Sequence, residues 1–319
     1  MKLNETSIIK KYFKPLIFKN TNSLNLKKDI YFDKKNNISF STDTYVENIH
    51  FLNSRDPKYF VKKIFRSSIS DIFCKGLKPI TYFLNLSLKK TSSKWLKSFT
   101  SELKRESKKY KIFLGGGDLT KSKTLSISIS VLANSKKKPI LRSGAKIKDD
   151  IYISGNLGDS YLGLLVSLRK INLGKLNKYF EKAFLEPKLP IKFSTNLYKF
   201  ASSSIDISDG LIKDLSSLCD SSKCGAKIFF KDIPFSKNAT RNIINQKIKA
   251  MDIFSKGDDY QLLFTASRKN RKIIISSAKR TFTKITRVGT IISKKKVKLI
   301  YGDKIIDSRS IKSSYIHEF

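Results

Sequence analysis

In the stretch Ile205-Asp206-Ile207-Ser208-Asp209-Gly210-Leu211, an apolar strand ends on two carboxylates and a helix begins directly after an Asp-Gly pair. Asp before Gly is common in turns, and Asp or Ser before a helix is a common cap. A turn is therefore the simpler interpretation of this stretch taken alone. The same pattern recurs elsewhere, and the recurrence is what points to a site.

Carboxylates next to Gly, Ser or Thr follow three other strand-like runs. The segments are Ser41-Thr42-Asp43-Thr44, Gly115-Gly116-Gly117-Asp118 and Gly257-Asp258-Asp259. Asp71 lies among apolar residues inside a predicted helix, where an ionised carboxylate is costly unless it is paired or binds a metal. Oxygen-only ligands of this kind suit Mg²⁺, which usually combines one or two carboxylates with phosphate oxygens and waters. The pattern favours an enzyme that binds ATP through several Mg²⁺ ions.

Strand and helix patterns alternate along both halves of the chain, which predicts an α/β (α+β) fold. Strands are predicted at residues 38–43, 80–88, 112–114, 124–133, 150–154, 205–207, 260–265, 285–291 and 297–301. Helices are predicted at residues 57–75, 93–109, 158–170 and 211–220. The lysine-rich residues 134–139 interrupt the pattern, so we expect two domains, 1–138 and 139–319.

The composition places further bounds on the class of protein. No window of about 18 uncharged apolar residues occurs, and residues 1–14 do not have the composition of a signal peptide, so we expect a cytoplasmic protein without a membrane span. Cys74, Cys219 and Cys224 form no CxxC pair, and zinc is not expected.

A net charge of +39 raises the alternative of a nucleic-acid-binding protein. The lysines are spread over the whole chain, as a base-composition bias would produce, and no zinc-finger, KH or RRM signature is present. We therefore expect no specific nucleic acid, although the charge would attract ATP. The P-loop and the protein-kinase signatures are also absent, so ATP would bind to a different fold.

Taken in order, the acidic segments form a longer series that covers nearly the whole chain. The series is Ser41 to Thr44 with Glu47, His50 and Phe51, Ser70-Asp71 with Gly76 and Pro79, Gly116-Gly117-Asp118 with Thr120, Arg142-Ser143-Gly144-Ala145 with Asp150, Asp206 to Leu211, Gly257 to Tyr260 with Leu262 and Phe264, and Tyr315 with His317. This series resembles the thiamine-monophosphate kinase family, of the superfamily that includes aminoimidazole ribonucleotide synthetase.

The resemblance implies a two-domain fold like that of aminoimidazole ribonucleotide synthetase, an active site between the domains, and a homodimer formed by the N-terminal sheets. It implies that ATP phosphorylates thiamine monophosphate directly, with several Mg²⁺ ions and no covalent nucleophile. The implied metal ligands are Asp29, Ser41, Thr42, Asp43, Asp71, Asp118, Asp206 and Asp209. The implied contacts are Gly117, Asp118, Arg142 and Ser208 with ATP, and His50, Asp258 and Tyr315 with thiamine monophosphate.

Two departures from the family pattern affect these assignments. The family's Gly-Asp-Asp is here Lys27-Lys28-Asp29, and its Gly-Glu-Asp-Tyr-Glu is here Gly257-Asp258-Asp259-Tyr260-Gln261. His50 also has a purely structural alternative, as a histidine that follows a strand. The remaining alternative within the superfamily is another ATP-dependent synthetase. The thiamine-contact positions and the lack of a reactive cysteine near the N-terminus argue against selenophosphate chemistry.

Overall fold

The computed structural model describes residues 5–18, 20–26, 29–134, 137–244, 249–308 and 311. Two β-sheets organise these residues, one formed before residue 135 and the other after residue 149. The mixed α/β architecture predicted from the sequence is confirmed.

Among its described residues, the first half contains five strands and three α-helices. Its strands are β1 (Tyr31–Asp33), β2 (Ile38–Val46), β3 (Pro79–Leu88), β4 (Phe113–Lys121) and β5 (Ser126–Asn134). Its helices are α1 (Glu5–Ile8), α2 (Val61–Phe73) and α3 (Ser93–Tyr110). The strand order is β1-β2-β5-β3-β4, and only the pair β3 and β4 is parallel. Helix α3 provides the crossover that a parallel pair requires.

Alternation of apolar and polar residues gives this sheet one covered face. In β5 every second residue from Ile127 to Ala133 is buried, as its strict alternation predicted. Those side chains pack with Phe65, Ile69 and Ile72 of α2 in one hydrophobic core. Helix α2 is buried around almost its whole circumference, which places its polar residues inside the protein.

Strand β4 is longer than the three residues predicted, because the three glycines lie within the strand. All of its residues are exposed, and it forms the edge of the sheet beside β3. A Cβ atom at Gly117 would lie 1.8 Å from the carbonyl oxygen of Leu84, and its φ is +155°. The close approach of β3 therefore requires glycine here.

The second half contains seven strands and seven helices among its described residues. The strands are β6 (Asp150–Ser154), β7 (Ala201–Ile207), β8 (Gly225–Phe229), β9 (Gln261–Ala266), β10 (Ile285–Ile292), β11 (Val297–Tyr301) and β12 (Lys304–Asp307). The helices are α4 (Asp159–Ser167), α5 (Asn177–Leu185), α6 (Ile191–Ser194), α7 (Leu211–Ser222), α8 (Lys237–Ile244), α9 (Ala250–Ser255) and α10 (Arg271–Arg280).

The seven strands form a sheet in the order β12-β11-β8-β10-β6-β9-β7, in which the neighbouring strands β6 and β9 are buried on both faces. Every residue of β6 and β9 is buried. Ile151 and Ile153 pack in the core that contains α7, whereas Tyr152 packs with Phe264 and Phe193 on the opposite face. Layers on both faces explain why these strands are apolar without alternation.

One ion pair and one hydrogen bond to a backbone carbonyl oxygen join the halves close to α2. Lys62 donates to Glu186 at 2.7 Å. Arg66 forms two hydrogen bonds to Glu106, of 2.7 and 2.8 Å, and donates to the carbonyl oxygen of Pro187 at 3.2 Å. These contacts fix α2 against the second half. In the described part of the chain, no helix has both the length and the apolar character needed to cross a membrane.

Candidate active site between the two sheets

Three predicted ligands, each on a different element, come together at the junction of the halves. Asp43 lies in β2, Asp71 near the end of α2, and Asp206 near the end of β7, and their charges act on one another. The hydroxyl of Ser41 donates to Asp71 at 2.9 Å, and that of Ser70 donates to Asp206 at 2.7 Å. The acid cluster, defined here as Asp43, Asp71 and Asp206, is therefore shared by both halves.

The electrostatics of the acid cluster favour protonation or a bound cation. Burial, together with the charge of Asp206, raises the pKa of Asp43 to about 7. Burial and the charges of Asp43 and Asp206 raise the pKa of Asp71 well above its ordinary value. Burial raises the pKa of Asp206 as well, against the opposing hydrogen bond from Ser70. Carboxylates that repel one another in a buried site are the arrangement that a divalent cation stabilises.

The pleat of β2 explains which of its residues reach the acid cluster. Ser41 and Asp43 lie on the covered face, whereas Thr42 lies on the exposed face and its hydroxyl is 2.8 Å from that of Ser130. The structure thus brings Ser41 and Asp43 together and directs the Thr42 side chain away from them. A backbone contact is the only one that Thr42 would offer to a ligand on the covered face.

Asp29 lies next to the acid cluster but is already held by two cations. The ammonium of Lys75 and the guanidinium of Arg142 both form ion pairs with its carboxylate. Arg142 also donates to the hydroxyl of Ser217 at 2.8 Å. The sequence analysis assigned Arg142 to ATP but missed Lys75, because one lysine among so many basic residues carries no signal of its own.

Cys74 adjoins the same carboxylates. Oxygen atoms of Asp29 and Asp71 and the sulfur of Cys74 lie within 4.8 Å of one another. Burial raises the pKa of the Cys74 thiol far above its ordinary value, and the thiol donates to the carbonyl oxygen of Asp71 at 3.2 Å. A protonated thiol is a poor ligand, so the donor set at this point consists of oxygens and suits Mg²⁺.

Three buried polar atoms of residues near the acid cluster have no hydrogen-bond partner among the described residues. They are Nε of Arg142, the hydroxyl of Ser204, and Oδ2 of Asp29, whose contact with Lys75 is an ion pair. Buried polar groups are nearly always hydrogen-bonded, so unsatisfied donors at one place indicate space for a ligand. An N–H donor of an arginine is suited to phosphate oxygens.

The turn between β7 and α7 is held by a carboxylate that the sequence analysis did not identify. Asp214 accepts hydrogen bonds from the backbone N–H groups of Asp209 and Gly210, each at 3.0 Å. Burial and the charges of Asp209 and Asp206 raise the pKa of Asp214. Asp209 itself is partly exposed and pairs with Lys213 at 2.8 Å. Ser208 accepts a hydrogen bond at its carbonyl oxygen from the N–H of Asp258, at 2.8 Å.

Asp258, the predicted substrate contact, faces α2. Its carboxylate is 3.1 Å from the ammonium of Lys63 and accepts a hydrogen bond from the hydroxyl of Tyr260 at 3.1 Å. Lys63 is buried and lies over the ring of Phe184, 3.5 Å from its centroid. Burial lowers the pKa of Lys63, and Asp258 opposes this shift. A lysine therefore competes for the carboxylate that would face a cationic substrate.

His50 packs against the end of β2. Its Nδ1 accepts a hydrogen bond from the N–H of Val46 at 3.0 Å, which places the ring proton on Nε2. The ring meets that of Tyr45 edge-on, with centroids 5.8 Å apart. The hydroxyl of Tyr45 is 2.7 Å from that of Ser67, and the charges of Asp43 and Asp71 act on it.

Gly117 and Asp118 are not brought to the acid cluster within one chain. The pairing registers put Asp43 in one row with Ile129, Leu84 and Gly117 across four strands. Three strand spacings separate Asp43 from Gly117, about 14 Å. Asp118 is exposed on the edge strand. Tyr315 lies outside the described residues.

The comparisons with known proteins agree with this architecture. Residues 27–134, which hold the first sheet and α2, match the family described as AIR synthase related protein, N-terminal domain. The two sheets and the oxygen-lined site between them define a member of this class.

The chain is 39% identical to the thiamine-monophosphate kinase of Buchnera aphidicola subsp. Schizaphis graminum, over 96% of this chain and 97% of that protein. It is 30% identical to the thiamine-monophosphate kinase of Haemophilus influenzae, over 92% of this chain and 91% of that protein. A solved structure described as AaThiL complexed with AMPPCP and TMP has a TM-score of 0.82 and 25% identity, covering 96% of this chain and 98% of that one. The chain belongs to the thiamine-monophosphate kinase family.

Proposed function

We propose that this chain transfers the γ-phosphoryl group of ATP to the phosphate of thiamine monophosphate, giving thiamine diphosphate and ADP. The observation that carries the proposal is the acid cluster, which joins both halves beside the unsatisfied Nε of Arg142. The family relationship and the related structure that holds AMPPCP and TMP support the choice of substrates.

In the proposed reaction an oxygen of the substrate phosphate forms a bond to the γ-phosphorus while the bond from that phosphorus to the β–γ bridging oxygen breaks. ADP leaves, and no protein atom is covalently modified. The contribution of the chain is to position both phosphates and to stabilise charge. Arg142 would donate to phosphate oxygens of ATP through its unsatisfied Nε–H group. Ser208 would also contact ATP, from the turn whose carbonyl oxygen accepts the N–H of Asp258.

The acid cluster would hold Mg²⁺, with Ser41 beside it. When bound, Mg²⁺ neutralises charge on the phosphate oxygens of ATP. Thr42, Asp118 and Asp209 remain proposed ligands on the family resemblance. The resemblance implies Asp29 as a ligand too, but in this chain its carboxylate is occupied by Lys75 and Arg142.

Substrate recognition is proposed to involve His50, Asp258 and Tyr315. The carboxylate of Asp258 would face the cationic part of thiamine monophosphate, with Tyr260 orienting it through the 3.1 Å hydrogen bond. The buried ammonium of Lys63 would stay on the same carboxylate and limit its net charge. Because a carboxylate and an ammonium lie side by side here, the site favours a substrate that carries both a cation and a phosphate.

A homodimer is part of the proposal. Several apolar residues of β3 and β4, at the edge of the first sheet, are exposed: Ile80, Phe83, Phe113, Leu114 and Leu119. An exposed edge strand with apolar side chains favours association with another sheet. Light scattering should give the mass of two chains, and Leu119→Asp should give that of one chain. A wild-type protein that is monomeric at micromolar concentration would contradict the proposed homodimer.

Two further assignments complete the proposal. The chain would divide into the domains 1–138 and 139–319, since the first sheet ends at Asn134 and the second begins at Asp150. We also place the enzyme in the cytoplasm. The three cysteines are free and buried, which is usual for proteins of a reducing compartment.

The decisive experiment measures transfer from ATP with Mg²⁺ to thiamine monophosphate, thiamine and formylglycinamidine ribonucleotide in parallel. Thiamine monophosphate should be converted to thiamine diphosphate, with no product from the other two. Asp71→Asn is the matched control, because it removes one charge from the acid cluster and keeps the side-chain shape. Turnover of formylglycinamidine ribonucleotide would favour another synthetase of the superfamily, and a fully active Asp71→Asn enzyme would remove Asp71 from the site.

A further inference from the structure

Lys75 is a fully buried cation next to the acid cluster. Its side chain follows the end of α2, and only 1% of the residue is exposed. The ammonium forms an ion pair with Asp29 and donates to the carbonyl oxygen of Ser204 on β7 at 3.0 Å. Its charge also acts on Asp71 and Asp206. Lys75 therefore contacts Asp29 and acts through its charge on two of the carboxylates that Mg²⁺ would neutralise.

The charges at this place are unevenly distributed. Four carboxylates share the site with two cations: Asp29, Asp43, Asp71 and Asp206 with Lys75 and Arg142. Both cations contact Asp29, whereas Asp71 and Asp206 receive hydrogen bonds from neutral hydroxyls. With every carboxylate ionised, these six groups carry a formal charge of minus two, four negative against two positive, and the excess negative charge lies on the acid cluster. One divalent ion would neutralise it.

We infer that Lys75 is a resident cation that takes the place of one divalent ion at Asp29, so that bound metal is confined to the acid cluster. The inference rests on the proposed function, because it concerns the same metal site. A Mg²⁺ ion on Asp29 would lie against two largely buried positive charges, and the carboxylate would gain little from it. Asp29 is thus a partner of Lys75 and Arg142 in this chain.

A tethered ammonium differs from a metal ion in one consequence for the fold. It cannot dissociate, so it joins the end of α2 to Ser204 of β7 whether or not metal is present. The metal-free protein therefore keeps one cation between its halves at the point where carboxylates repel. Lys75 acts through Asp29 and Ser204, and it is a positioning residue.

The first test counts Mn²⁺ ions bound per chain without nucleotide, by titration calorimetry and by the electron paramagnetic resonance of free Mn²⁺. Lys75→Met should bind one ion more than the wild type, because Asp29 becomes available as a ligand. Asp29→Asn should bind the same number as the wild type. Equal counts for Lys75→Met and the wild type, or one ion fewer in Asp29→Asn, would overturn the inference.

The second test compares melting temperatures in EDTA and in excess Mg²⁺. Relative to the wild type, Lys75→Met should lower the melting temperature more in EDTA than in Mg²⁺, because in Mg²⁺ the additional ion replaces the missing ammonium. Lys63→Met is the matched control, since Lys63 lies on α2, which Lys75 follows, is also buried, and pairs with Asp258 outside the acid cluster. Lys63→Met should lower the melting temperature equally in EDTA and in Mg²⁺. Equal losses for Lys75→Met in both conditions would mean that Lys75 is only structural.

A double variant keeps the inference testable if Lys75→Met does not fold. Asp29→Asn combined with Lys75→Met removes both members of the pair, so no charge is left unpaired. It should bind the wild-type number of Mn²⁺ ions, because the additional ion requires Asp29. A count above that of the wild type would contradict the assignment. A wild-type protein that binds no Mn²⁺ would contradict the metal site of the proposed function, while the difference between variant and wild type still decides the role of Lys75.

Discussion

Asp43→Asn should stabilise the metal-free protein, and by an amount that depends on pH. Burial and the charge of Asp206 raise the pKa of Asp43 from its ordinary 3.8 to about 7. Each pKa unit corresponds to about 1.4 kcal/mol, so the raised value costs the folded protein about 4 kcal/mol once Asp43 is ionised. Between about pH 4 and pH 7 the folded state binds more protons at this site than the unfolded state. Stability from this group therefore falls as the pH rises through that window.

The variant lacks the titrating group, and asparagine has nearly the same shape. In EDTA at pH 8 we expect Asp43→Asn to be more stable than the wild type by up to about 4 kcal/mol. At pH 4 the two proteins should differ little, because the wild-type carboxyl is then protonated in the folded state. With saturating Mg²⁺ the stability difference between variant and wild type should become smaller or change sign, since only the wild type keeps the full ligand set and the binding energy of the metal.

Urea unfolding, followed by circular dichroism at pH 4 and pH 8, each in EDTA and in Mg²⁺, measures the free energy of unfolding of both proteins in all four conditions. Asp150→Asn is the control of opposite sign. Burial opposes ionisation of Asp150, but hydrogen bonds from Arg271, of 2.6 and 2.9 Å, outweigh it and lower the pKa of Asp150. Its ion pair should stabilise the protein at neutral pH and be lost as the pH falls through that lowered pKa. The reasoning fails if Asp43→Asn is no more stable than the wild type in EDTA at pH 8.

Three other substitutions probe the framework around the site. Arg66→Met should destabilise the protein by about 3–5 kcal/mol in urea unfolding, because Glu106 is left as an unpaired buried charge, and removal of both side chains should cost less. Gly163→Ala should cost about 1–3 kcal/mol, because its Cβ would lie 2.0 Å from the carbonyl oxygen of Phe180; a neutral result would show that α4 and α5 can separate. Gly117→Ala should also cost about 1–3 kcal/mol, because its Cβ would lie 1.8 Å from the carbonyl oxygen of Leu84 on the neighbouring strand β3, and it should weaken nucleotide binding, measured by calorimetry; an unchanged free energy of unfolding would show that the edge strand β4 can move away from β3.

Most of the strands near the acid cluster could be predicted because their patterns are local. Alternation identified β5, and the bounds predicted for β6 and β11 are those observed. The strands β1, β8 and β12 and the helices α1, α5, α8, α9 and α10 were not predicted. The predicted end of β4 was wrong because glycines usually mark a turn, whereas here they let two parallel strands approach closely.

The sequence by itself determined which carboxylates follow strands, which one lies in a helix, and in what order they occur. This order sufficed to identify the family and to assign Asp43, Asp71 and Asp206 to one predicted site. Only the tertiary structure decided which charges meet. Ser70 and Asp206 are 136 residues apart, and Lys75 and Ser204 are 129 apart. Periodicity reports on neighbours within one element, whereas an ion pair depends on how two elements pack. The pairing of Asp29 with Lys75 and Arg142, of Asp258 with Lys63, and the distance of Asp118 from the acid cluster follow from that packing.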